Sequence, residues 1–148
     1  MKDGLTHVLL AENNDNERHF FKGVLENLRM KTVVQTVNDG DELLKYLSAP
    51  NAESPHIVFL GQKGPGNAGY EYLRQLKHLN ATKDTAIAMY SSSASESEIE
   101  NSFVEGANVY IKKTADSQVF KKKLENVLAM SWHYQTSGLN RDNFIMSV

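Results

Sequence analysis

The chain has no cysteine among its 148 residues. That excludes disulfides and thiolate metal sites, and leaves the redox compartment open. Nor is there a strong excess of either charge: the formal net charge is −2, so no long-range field draws the protein onto nucleic acid or an acidic membrane surface. The densest basic run, Lys121-Lys122-Lys123, falls inside a helical pattern and reads as a solvated helix face. No apolar run approaches the length of a membrane span. The start of the chain carries no secretory leader pattern, because Met1 to Gly4 is short and polar and the apolar stretch after it is only a strand's length. A cytoplasmic location without nucleic-acid or membrane partners is therefore expected. The histidines His7, His19, His56, His78 and His133 lack metal-ligand spacing. Ser91-Ser92-Ser93 has neither the nucleophile-elbow sequence nor an identifiable base, which argues against a hydrolase triad.

What remains is an ordinary globular composition, 41% hydrophobic and 23% charged, sufficient for one domain with a sizeable core. Short apolar runs alternate with amphipathic stretches. Strands are predicted at His7 to Ala11, Thr32 to Val37, Ile57 to Leu60, Ala86 to Tyr90 and Val109 to Lys112. Helices are predicted at Glu17 to Met30, Asp41 to Leu47, Tyr70 to Leu79, Glu96 to Glu105 and Ser117 to Tyr134, with Asp15 or Asn16 capping the first and Gly106 ending the fourth. Ile99, Phe103 and Val104 share one face of the fourth helix; Phe120, Leu124, Val127, Leu128 and Trp132 share one of the fifth. Right-handed crossovers place such helices on both faces of a parallel sheet. The expected architecture is α/β: a flavodoxin-like, doubly wound, five-stranded parallel sheet in the order 2-1-3-4-5. The domain is taken as residues 1–134, followed by a tail, 135–148, that packs on the domain or on a second copy, or frays.

In that fold the site lies at the carboxyl ends of the strands, where the loops begin at Glu12, Gly61, Ser91 and Lys113. The segments Val8-Leu9-Leu10-Ala11-Glu12-Asn13, Asn38-Asp39-Gly40, Gly64-Pro65-Gly66-Asn67-Ala68-Gly69-Tyr70 and Gly106-Ala107-Asn108-Val109-Tyr110-Ile111-Lys112-Lys113 occur in an order that resembles the receiver domain of two-component response regulators, in particular its single-domain, chemotaxis-regulator-like members. The resemblance covers roughly residues 5 to 130 and implies the chemistry to look for. In a working receiver an aspartate attacks phosphorus, an acidic pair holds Mg²⁺, and a lysine and a hydroxyl grip the phosphoryl oxygens.

By that resemblance Gly61 stands where the family carries the phosphoacceptor aspartate, and a glycine has no side chain to phosphorylate. The acidic pair is Glu12 and Asn13, so one carboxylate is replaced by a neutral amide. Ser91 and Lys113 keep the hydroxyl and the lysine, and Thr114 replaces the proline that usually follows in cis, so a trans peptide and a re-routed loop are expected. Glu12 and Lys113 leave the pocket near zero charge, and no Mg²⁺ site and no other cofactor are expected. Lys113 is expected to pair with Glu12 across the vacated pocket, and Asp15 and Glu17 to serve the first helix and its dipole. Tyr110 corresponds to the family's switching aromatic; it is either a mechanical partner of Ser91 or fixed in one rotamer. The glycines Gly61, Gly64, Gly66 and Gly69 read as turn formers, with an anion nest as the other possibility.

The implied function is that of a degenerate receiver in phosphorelay signalling that acts without phosphorylation. It would be no enzyme, and its partner would be a signalling protein, a histidine kinase or another regulator, with a homodimer also possible. The implied docking surface comprises the fourth helix, fifth strand and fifth helix, with Ile99, Phe103, Tyr110, Val119 and Lys123. Two alternatives use the vacated pocket: an anion or small-molecule sensor, and a catalytic Lys113, which would require burial to lower its pKa.

Overall fold

The computed structural model describes residues 4–61, 68–91, 95–137 and 146–148, omitting the side chains of residues 68, 132–137 and 146. The chain alternates strands and helices: β1 (Thr6–Ala11), α1 (Asp15–Glu26), β2 (Thr32–Val37), α2 (Gly40–Ser48), β3 (Ile57–Gly61), α3 (Ala68–Lys77), a 3-10 turn (Asn80–Thr82), β4 (Ala86–Ser91), α4 (Glu96–Val104), β5 (Val109–Lys112), α5 (Ser117–Ser137) and β6 (Met146–Ser147). All neighbouring strands pair in parallel, in the order β2-β1-β3-β4-β5-β6. The five expected strands thus take the expected doubly wound order, and a sixth joins them from the segment read as a tail. α5 also runs to Ser137, past the boundary drawn at residue 134.

Continuous apolar strands arise because both sheet faces are covered, so inward alternation serves two cores. Val8, Leu10, Ile57, Phe59, Ala88 and Tyr90 point to the layer of α1 and α5. Leu9, Val58, Leu60, Ile87, Met89 and Tyr110 point to the layer of α2, α3 and α4. Phe120, Leu124, Val127 and Leu128 of α5 are all buried as predicted, each side chain contributing about 1.5–3 kcal/mol. The side chain of Trp132 lies outside the described residues.

Some local readings are corrected. α1 is capped by Asn14, whose Oδ1 accepts the Glu17 N–H at 2.9 Å, rather than by Asp15 or Asn16. It ends at Glu26 instead of Met30, because the Asn27 N–H turns back to the Val24 carbonyl. Val104 is 78% exposed and does not share the inward face of Ile99 and Phe103. Gly106 does end α4, with φ +121°. A side chain is strained in that region.

Candidate functional site

β1 delivers Glu12 to the carboxyl edge of the sheet, where its N–H donates to the Val37 carbonyl at 3.1 Å and its own carbonyl accepts from Arg18 Nη1 at 2.9 Å. With the backbone fixed, the side chain turns inward and is only 1% exposed. A carboxylate so buried needs partners. Oε1 accepts the Tyr90 hydroxyl at 2.6 Å, Oε2 accepts the Asn14 N–H at 3.0 Å, and Lys113 Nζ lies 3.7 Å from Oε1. Burial works to raise the Glu12 pKa. The Tyr90 hydroxyl, the Asn14 N–H, the Lys113 charge and a side-chain interaction with Glu17 together outweigh it, so the group is held below the ordinary carboxylate value.

Lys113 follows β5 and is anchored by its N–H to the Ser91 carbonyl at 2.9 Å. Its ammonium meets Glu12 as expected, but lies nearer Glu17 Oε2, at 3.0 Å, and 4.9 Å from the centroid of the Tyr90 ring. Glu17 is thus more than a helix-dipole residue, which corrects the sequence reading. Counting Glu12, Glu17 and Lys113 gives −1 −1 +1, a formal charge of −1 where near zero was expected. Lys113 is partly exposed, without the deep burial that a catalytic amine would require. Among the described residues no peptide bond is cis, so the Lys113–Thr114 bond is trans. The Thr114 hydroxyl accepts the Asp116 N–H at 3.2 Å, and Asp116 in turn receives the N–H groups of Gln118 and Val119 at the start of α5.

Gly61 closes β3 directly opposite Tyr90 of β4. A Cβ built on Gly61 would lie 3.0 Å from Glu12 Oε1 and 3.0 Å from both Cζ and the hydroxyl oxygen of Tyr90. The space beside Gly61 is therefore taken by the Tyr90–Glu12 hydrogen bond. Tyr90 is almost fully buried, and its ring is held by Phe21 at a centroid distance of 4.8 Å. Burial and then Glu12 push its pKa far up, so the phenol remains a donor. From sequence alone Tyr90 is only the end of an apolar strand; the glycine across from it is the signal that marks its role.

Ser91 and Tyr110 are both buried, and a hydrogen-bond interaction with Ser91 partly offsets the upward push of burial on the Tyr110 pKa. Tyr110 therefore lies inward, in the core beneath α3 and α4, and is not on the docking surface where the sequence placed it. Ile99 and Phe103 are partly buried against the same core. Val119 is 44% exposed, and Lys123 Nζ donates to the Lys112 carbonyl at 3.1 Å. Asn13 is exposed. Gly64, Gly66, Ser92 and Ser93 lie outside the described residues. Among the described residues no cluster of three or more His, Cys, Asp or Glu side chains could hold a metal ion, and no helix is long and apolar enough to cross a membrane.

Comparison with known proteins places this geometry. The structure superposes on the response regulator RPA3017 of red light signalling in R. palustris with a TM-score of 0.73 and 24% identity, covering 87% of this chain and 92% of that one. The phosphorylated cyanobacterial phytochrome response regulator RcpA gives 0.72 and 25%, with coverage of 86% and 94%. Among curated proteins, the two-component response regulator ARR15 of Arabidopsis thaliana is 25% identical over 130 residues, 82% of this chain and 62% of the relative's length. The chain thus spans less than two thirds of that relative. Residues 8–125 match the response regulator receiver domain, and the chain belongs to that family of two-component signalling domains.

Proposed function

We propose that this receiver is degenerate at its phosphoacceptor position and signals by phosphorylation-independent protein–protein interaction. The observation that carries the reading is the Tyr90 hydroxyl hydrogen-bonded to Glu12, within 3.0 Å of where any side chain at position 61 would begin. Gly61 offers no nucleophile, and a side chain there would begin in tight contact with a buried phenol. Both Glu12 oxygens already have partners, and the second residue of the pair is the exposed, neutral Asn13. This donor set does not fit Mg²⁺, which depends on anionic oxygens. Without nucleophile or metal the domain performs no phosphoryl chemistry of its own and is no enzyme.

The same geometry gives no support to an anion sensor, because the Glu12, Glu17 and Lys113 cluster carries a negative formal charge and its ammonium is already engaged by both carboxylates. The function left to the fold is binding. The face built from α4, β5 and α5 offers Ile99, Phe103, Val119 and Lys123, with Tyr110 and Ser91 behind it and Val104 exposed beside it. A cytoplasmic signalling protein, a histidine kinase or another regulator, suits this face. The test is incubation of the purified chain with Mg²⁺ and radiolabelled acetyl phosphate, or with a phosphorylated kinase. The expected outcome is no hydroxylamine-labile phosphate on the protein; stoichiometric labelling of an aspartate or glutamate would overturn the reading.

A further inference from the structure

The β5 edge of the proposed binding face is occupied from within the chain. Met146 and Ser147 pair with Val109 and Tyr110. The Val148 N–H donates to the Tyr110 carbonyl and the Val148 carbonyl accepts the Lys112 N–H, both at 2.9 Å. Lys123 Nζ then takes the Lys112 carbonyl at 3.1 Å and ends the ladder. Val148 is half-buried and packs against the core shared by α1 and α5, while Ser147 faces solvent. A sheet edge presents unpaired N–H and C=O groups that accept an added strand, with backbone bonds giving affinity and alternate side-chain positions giving specificity. Here the acceptor position is real, because a strand already sits in it, and that strand is very short.

We propose that the β5 edge is a strand-addition site held in cis by Met146–Val148, and that its partner is an extended protein segment that replaces this strand in parallel. The register defines the partner's chemistry. It needs a Val-sized aliphatic residue at the position of Val148, facing the core, and a small polar residue at that of Ser147. An acidic group just beyond is favoured, because the Lys123 ammonium closes the ladder there. The proposal shares the binding face with the reading above, and it stands whether or not the domain is phosphorylated.

The test uses the full chain and a probe peptide of residues 143–148, acetylated at its amino end. In the wild type, the Lys112 amide should exchange with solvent at least about tenfold more slowly than in Val148→Pro, which lacks the donating N–H, or Val148→Asp, which keeps it but loses the packing. Added to either variant, the peptide should shift the Tyr110 and Lys112 resonances saturably and restore the protection, while the wild type should bind at least about tenfold more weakly because its own strand competes. Equal Lys112 exchange in all three proteins, or peptide-induced shifts away from β5, would overturn the proposal. So would protection that appears only as the wild type doubles in mass with concentration, since the occupant would then be a second copy.

Discussion

Introducing an aspartate at position 61 should not permit phosphorylation there while Tyr90 remains. A Cβ at Gly61 already sits 3.0 Å from Glu12 Oε1 and from the Tyr90 hydroxyl, so an aspartate there starts from a contact that its neighbours must yield to, and it sets a second carboxylate beside Glu12. Tyr90 cannot step aside freely, because Phe21 packs on its ring and the residue is only 1% exposed. Gly61→Asp therefore breaks the charged Tyr90–Glu12 hydrogen bond, worth about 1.5–3 kcal/mol, and overpacks the site at a further cost of about 1–3 kcal/mol. Removing a glycine from a strand returns only about 0.5–1 kcal/mol. The net loss of about 1.5–5.5 kcal/mol corresponds to a fall in Tm of at least about 3 °C for a chain of this length, read by circular dichroism at pH 7. The phosphoryl readout separates space from chemistry. Gly61→Asp with Asn13→Asp should stay unlabelled by acetyl phosphate and Mg²⁺, whereas adding Tyr90→Leu, which vacates the hydroxyl's position and frees Glu12 Oε1, should permit labelling. An unchanged Tm for Gly61→Asp, or equal labelling with and without the Tyr90 replacement, would refute the steric argument.

Two further outcomes test the same cluster. Lys113→Met removes one of the groups that hold the Glu12 pKa below 4.5 and should cost about 1–3 kcal/mol at pH 7. A depressed carboxylate stabilises the fold above its unfolded pKa and loses that contribution as pH falls through the folded value, so the gap between variant and wild type in urea midpoint should narrow toward about pH 3; a gap independent of pH would refute the assignment. In a double-mutant cycle, Gly61→Ala should cost less in a Tyr90→Phe background than alone, with a coupling of at least about 0.5 kcal/mol by chemical denaturation. Additivity would show that the hydroxyl does not control the space.

The architecture was legible because its signals are local and redundant. Strands buried on both faces read as unbroken apolar runs, and Gly106 marks the end of α4 through a φ that other residues rarely adopt. Where the sequence misled, several residues could do the same local job. Asn13, Asn14, Asp15 and Asn16 are all competent caps, and only the turn geometry selects Asn14. Leu28 continues the apolar spacing of α1 after the helix has ended, because it still packs against the core from the following turn. β6 is too short to carry a period at all, and its existence depends on the β5 edge beside it.

The site shows a subtler limit. Glu12, Asn13, Gly61, Ser91 and Lys113 were each visible as positions, since the fold sends every parallel strand's carboxyl end to one edge. What joins them was not, because it depends on a register between strands. Gly61 stands opposite Tyr90, and an added Cβ there would point at its ring and hydroxyl. The smallest residue and one of the largest thus meet across two parallel strands. Read alone, Gly61 is a residue without a side chain and Tyr90 an ordinary core aromatic. Read as a pair, they account for Glu12 as well: the phenol beside Gly61 is also the donor that lets a carboxylate remain buried and ionised. The Glu12–Gly61–Tyr90 cluster is therefore a packed polar core with its own hydrogen-bond logic, and replacing any one of its residues must contend with the other two.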